Sequence, residues 1–190
     1  DGLYEIIAVG GGGGCGQMAL GGLQYTIAVS ASGGSGAVIH GVFRISAGTL
    51  SVIVGALGKS APISTAGTAA STDGGATSVG LLCSVGGGGR GKAGWGNPVV
   101  QQGGTAGTVV SYDKNALVSS SVISNGHAGT FNRWYTGNRD GSVSIAIVQS
   151  PYPPYGSGSA GSATTRYSGG ASFTSSPGSG GYVKIMYYGK

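Results

Sequence analysis

Apolar residues in this chain come in short runs that alternate with period two and then break off in glycine. Leu3 to Val9 sets Leu3, Glu5, Ile7 and Val9 against Tyr4, Ile6 and Ala8; both sides are largely apolar, which predicts a strand covered on two faces. Leu23 to Ser30 places Leu23, Tyr25, Ile27 and Val29 opposite Gln24, Thr26, Ala28 and Ser30, the pattern of a half-exposed strand. Ala37 to Ile45 and Leu50 to Val54 predict two strands of a hairpin turning through 46–49, and Val79 to Val85 reads as one further strand. Ala116 to Ser124, Ser142 to Gln149 and Tyr182 to Tyr188 complete the set, with Asn125-Gly126 and Asp140-Gly141 as tight-turn candidates. No segment carries a helical period with caps, and β-branched residues dominate the apolar runs, so the expected fold is all-β. Its form is a glycine-rich, jelly-roll-like β-sandwich with the N- and C-terminal strands together in the core.

Glycine changes this picture most. There are 43 in 190 residues, concentrated in tracts that abut strands: 10–14 after the first strand, 86–89 after the run ending at Val85, and 180–181 before the last strand. With 39% hydrophobic and only 8% charged residues, the composition is not that of a disordered chain, and no strict three-residue period marks collagen. The tracts are therefore parts of the folded body, packed as loops or as polyproline-II-like stretches that lie close enough to bond laterally or sit under a sheet. The stretch 55–75 is small and polar and reads as a loop with little packing power. The length suits one domain, 1–190, in which 92–179 forms a variable, loop-rich insertion.

Charge and motifs narrow the chemistry. The net charge of +5 comes from cations that stand singly, including Arg44, Lys59, Arg90, Lys92, Lys114 and Arg139, a distribution that does not suggest nucleic acid as a partner. No apolar run approaches a membrane helix, so no membrane insertion is expected, and a chain starting at Asp1 reads as processed or excised. Gly11, Gly13 and Gly16, like Gly86, Gly88 and Gly91, match a dinucleotide-binding spacing, but no helix pattern follows to hold pyrophosphate. Gly58-Lys59-Ser60 resembles the end of a P-loop whose first glycine would fall on Ile53. His40 and His127 lack partners at ligand spacing, no G-x-S-x-G elbow is present, and the five carboxylates form no recognisable pair. The expectation is a protein without catalysis, metal or cofactor. Cys15 and Cys83 each adjoin a glycine tract at a strand end, so a single Cys15–Cys83 disulfide is one outcome, and two buried free thiols the commoner one.

Aromatic residues supply the functional lead. Trp95, Phe131, Arg133, Trp134, Tyr135, Tyr152, Tyr155 and Tyr167 gather in the loop-rich part, combining flat apolar faces with hydrogen-bonding groups, the mixture favoured at recognition surfaces. The alternative use of Trp134 and Tyr152 is to fill a core starved of large side chains. Packing is the expected role of Tyr4, Tyr25 and Tyr182.

The ordered series IIAVGGGGGCG, GAVIHGVFRISAGTLSVIVGALG, GGATSVGLLCSVGGGG and GGYVKIMYYG resembles the glycine-rich domain at the C-terminal ends of bacteriophage tail fibres. The likeness covers about the first half and the last ten residues. It departs at Ala47-Gly48, where that family commonly has Pro-Gly, and across 92–179, which match only in general glycine richness. What the resemblance implies is a trimeric fibre on the virion whose tip binds a bacterial surface receptor, a glycan or an outer-membrane protein. The competing expectation is a self-assembling subunit of an extracellular filament, a homo-polymer. The strand starting almost at the first residue, with no leader or stalk before it, and the sparsely charged surface motivate that reading.

Overall fold

The computed structural model of the chain describes residues 1–16, 27–60, 71–95, 99–129, 132–134, 143–144, 154–159, 162–165 and 177–190. Strands are numbered β1 to β14 along the chain. One antiparallel sheet has the order β10-β3-β1-β14, formed by Leu117–Ser124, Val38–Ile45, Gly2–Val9 and Tyr182–Gly189. A second has the order β4-β5-β6-β9, formed by Val52–Ile53, Thr77–Val79, Cys83–Val85 and Val109–Tyr112. The fold is all-β, and the first and last strands are hydrogen-bonded neighbours, with Ile6 opposite Ile185. The two sheets share one core: Ile6, Ala8, Ala37, Ile39 and Phe43 meet Val79, Cys83 and Val85, with Val183 and Val109 packed at its margin. Burying side chains of this size contributes about 1.5–3 kcal/mol each, which anchors strands as short as β5 and β6.

Two local expectations are corrected here. β3 and β4 do not form a hairpin, because β3 pairs with β1 and β10 while β4 pairs with β5 in the other sheet. The run Val79 to Val85 is two strands rather than one. Gly80 takes φ of 51°, the left-handed conformation that glycine accepts without strain, and the Leu82 N–H closes the turn on the Val79 carbonyl at 3.0 Å. Leu81 is left at the tip, 97% exposed.

Nine of the segments beyond the strand ends assemble into a bundle of extended chains, and segment 10–16 lies at its centre. The N–H groups of Gly10, Gly13 and Gly16 donate to Ala37, Gly34 and Ala31; those of Gly11 and Gly14 donate to Gly75 and Thr72; that of Gly12 donates to Ser179. A donor direction that returns every third residue is the geometry of a polyproline-II helix, which has three residues per turn and no internal hydrogen bonds. The carbonyls point between the donors: Gly11 and Gly14 accept from Gly88 and Gly91, Gly12 from Gly58, and Gly13 from Ser159. Segments 31–37, 86–92, 71–75, 55–60, 177–181 and 154–159 therefore ring the central one, alternately accepting from it and donating to it. The ring closes on itself through bonds such as Gly34 to Gly89, Gly74 to Gly88, Gly75 to Ala56, Gly178 to Gly58, Ser179 to Ser157 and Gly33 to Ser159. Segments 102–108 and 125–129 extend the array beyond 31–37, through Gly104 to Ser32 and Ser35 to His127.

The central segment requires glycine for a steric reason. A Cβ on Gly12 would overlap the carbonyl of Ser157, one on Gly10 that of Gly86, and one on Gly13 that of Gly89. Ordering so many glycines is entropically unfavourable. Each buried N–H and C=O that is satisfied avoids a penalty of about 1–3 kcal/mol, which offsets that loss. The stretch expected to be a weak loop, 55–75, contributes two of these segments, and Gly126 lies in the array instead of in a tight turn, donating to Gly107. Asn125 accepts the Val109 N–H at 2.8 Å and so ties β10 to β9. The Asp140-Gly141 turn and most of the strand expected over 142–149 lie outside the described residues.

Eight of the nine segments continue strands of the two sheets, so the sheet pair forms one end of the bundle. At the far end lie β2 (Ile27–Ser30), β7 (Ala93–Trp95), β8 (Val99–Gln101), β11 (Asn132–Trp134), β12 (Val143–Ser144) and β13 (Ser162–Thr165). They form a sheet of order β12-β13-β2-β7 and a separate pair, β11-β8. Both cysteines are free and buried, and the Cys15–Cys83 bridge is not formed. Segments 10–16 and 86–92 run parallel with Gly88 level with Gly11, so Cys83 and Cys15 stand about nine residues apart along the axis, roughly 28 Å at about 3.1 Å per residue. Burial pushes the Cys83 thiol up to about 11, partly opposed by a hydrogen bond with the Val79 backbone.

Candidate recognition site

The far end is where the chain gathers several of its expected recognition residues. β7 leaves segment 86–92 and ends at Trp95, which pairs with Ala28 of β2. β11 follows segment 125–129 and sets Arg133 and Trp134 opposite Val100 and Val99 of β8. β7 and β11 each border β2 and β8, so Trp95 lies one strand away from Arg133 and Trp134 at the same end. Phe131, Tyr135, Tyr152 and Tyr167 lie outside the described residues. Tyr155 belongs to the opposite end: its ring stacks on that of Tyr182 at 4.1 Å and 12°, at the start of β14.

Three cations join the far part of the bundle, and their meeting was not visible in the sequence. Lys59, Arg90 and Lys92 are exposed and sit on segments 55–60 and 86–92, with segment 71–75 between. The Arg90 guanidinium leans across that middle segment and donates to the Ser71 carbonyl at 2.8 Å. Lys92 leans the other way, donating to Gln102 at 3.1 Å. The nearby carboxylate, Asp73, accepts the Arg90 backbone N–H at 2.7 Å and makes no ion pair with these side chains. The signal that could have found the cluster is the period-three alignment of the glycine tracts, which brings Gly-Lys59-Ser and Gly-Arg90-Gly-Lys92 to one level.

The phosphate-binding spacings are accounted for by packing. The N–H groups of Gly11 and Gly13 are committed to Gly75 and Gly34, and those of Gly88 and Gly91 to Gly11 and Gly14, so these four do not cradle an anion. In the P-loop-like stretch, the Gly58 N–H donates to Gly12 and the Ser60 hydroxyl accepts the Cys15 N–H at 3.1 Å. His40 meets Glu5 at 2.8 Å on the sheet face, both about a quarter exposed, which makes it a strand-surface pair. Among the described residues no three His, Cys, Asp or Glu side chains gather where they could hold a metal ion. No protein-family model matches the chain, and no curated protein matches it either.

Proposed function

We propose that the chain is a non-enzymatic receptor-binding tip of a phage tail fibre, carried on the virion and recognising a bacterial surface glycan or outer-membrane protein. The observation that carries this reading is the placement of Trp95 on β7 and of Arg133 and Trp134 on β11, two strands that both border β2 and β8 at the end of the bundle remote from the sheet pair. A backbone-bonded bundle is a stiff support, and residues held on such a support lose little entropy on binding. The resemblance of the ordered strand-and-glycine series to tail-fibre glycine-rich domains supports the same reading. Changing Trp134 and Tyr135 to Ala tests it. Binding to host cells should fall by about tenfold or more, as for aromatic interface anchors, with an unchanged melting temperature; undiminished binding removes these residues from the site.

A second reading, a self-assembling filament subunit, is favoured by one feature of the sheet pair. The edge strands β4 and β14 leave Ile53, Tyr187 and Tyr188 at 59%, 58% and 69% exposure, an apolar edge of the kind that pairs with further chains. Electron microscopy of the purified chain separates the two, since regular filaments of this protein alone would replace the tip by the filament.

A further inference from the structure

We infer that the face carrying Lys59, Arg90 and Lys92 binds an anionic saccharide, one bearing carboxylate or phosphate groups. The inference rests on reading the far end as the contacting end, and adds the chemical class of what is contacted. Hydrogen-bonded extended chains lie about 4.8 Å apart, which places Lys59 and Arg90, on either side of segment 71–75, within about 10 Å of each other. Along the axis Lys59 is level with Thr72, whose N–H donates to its carbonyl, and Lys92 is level with Gln102. Along the axis the three cations therefore lie within about two residues of one another, roughly 6 Å.

Among the described residues none of these cations is in an ion pair; the single pair is Glu5 with His40, on the sheet at the other end. Asp73, which accepts the Arg90 backbone N–H, keeps its negative charge on the segment between Lys59 and Arg90, so three cations and one anion leave the patch a net charge of about +2. Arg90 uses one of its five donors on the Ser71 carbonyl, which fixes the plane of the guanidinium and leaves a fork suited to a carboxylate or phosphate. Gln102, alongside Lys92, adds the amide chemistry that sugar hydroxyls use. The partner is saccharide rather than nucleic acid because the patch is short. A duplex is held by contacts to about 6–10 phosphates along a path, and three cations in one cluster do not provide one. Trp95, three residues beyond Lys92, ends β7.

Binding of the full chain to immobilised alginate, a polyuronate, tests this against neutral dextran as control. The expected result is retention on alginate alone, released by added salt, and weakened roughly two- to thirtyfold in a Lys59→Gln/Lys92→Gln variant, the range for removing two exposed charge contacts. Among the described residues those two side chains bond to no backbone group, so the variant should melt as the parent does; Arg90→Gln, which also loses the Ser71 contact, serves as a third probe. Equal retention on dextran, no retention on alginate, or a variant that binds as tightly as the parent would overturn the inference. Preferential binding of duplex DNA over alginate would overturn it in favour of nucleic acid. No host cell enters this assay, so its failure leaves the receptor-binding reading to its own cell-binding test.

Discussion

The Thr77 hydroxyl donates to the Val9 carbonyl at 2.7 Å and accepts the Gly55 N–H at 2.9 Å, where β1 and β4 pass from sheet into bundle. Thr77 is fully buried, so no water can replace these bonds. Thr77→Val keeps the shape and removes both bonds. It should lower stability by about 2 kcal/mol or more, whereas Thr77→Ser, which keeps the hydroxyl, should cost about 1 kcal/mol. Urea denaturation of the two variants checks the order; equal losses would show that the missing methyl, rather than the bonds, matters.

Gly12 and Gly180 make opposite predictions. A Cβ on Gly12 overlaps the Ser157 carbonyl, whereas one on Gly180 meets nothing within 4 Å. Gly12→Ala should destabilise by about 3 kcal/mol or more, the upper range for overpacking, because backbone cannot step aside as a side chain can. Gly180→Ala should be neutral or stabilise by about 0.4–1 kcal/mol through the unfolded chain. Thermal melts of both proteins decide it.

Cys83 sets an alkaline limit. Its thiol, ordinarily near 9, is pushed up to about 11 by burial. Below pH 9 both folded and unfolded chains keep the proton, and stability does not depend on this group. Between 9 and 11 the unfolded chain ionises first, so stability falls, approaching a loss of about 2 kcal/mol. The difference between the parent and Cys83→Val should therefore be flat to pH 9 and change above it. A difference that stays flat to pH 11 would show that the thiol ionises alike in both states.

Tyr155 should behave as a packing residue. Its stack on Tyr182 fastens segment 154–159 to the start of β14. Tyr155→Ala should lower stability by about 1–3 kcal/mol, combining lost burial with the ring contact. Host-cell binding per folded molecule should stay unchanged; a selective fall in binding would return Tyr155 to the recognition surface.

The strands were legible wherever a period-two apolar run was long, as in β1, β3, β10 and β14. Strands such as β7, Ala-Gly-Trp, and β13, Ser-Ala-Thr-Thr, carry too few large apolar residues to show a period. The hairpin assigned to β3 and β4 failed because a short turn-like sequence favours local pairing, while burial of Phe43 and Ile39 against the second sheet decided the matter. Glycine tracts were legible as folded but not as a lattice. Their pattern lies in which neighbour each N–H reaches, and glycine carries no side chain to record it. For the same reason single cations in separate tracts looked scattered, although the bundle brings Lys59, Arg90 and Lys92 to nearly one level along its axis.

The junction of strand with bundle has a consequence for alignment of the chain. A strand that slips by one residue turns every side chain to the wrong face, and its pattern returns only after two. A bundle segment that slips by one residue turns every N–H to the wrong neighbour, and its pattern returns only after three. Where a segment continues directly from a strand, as 10–16 does from β1, both patterns recur together only after about six residues, a displacement of roughly 19 Å. Polyglycine alone would slide like a vernier with no mark; joined to β1 it has a single setting.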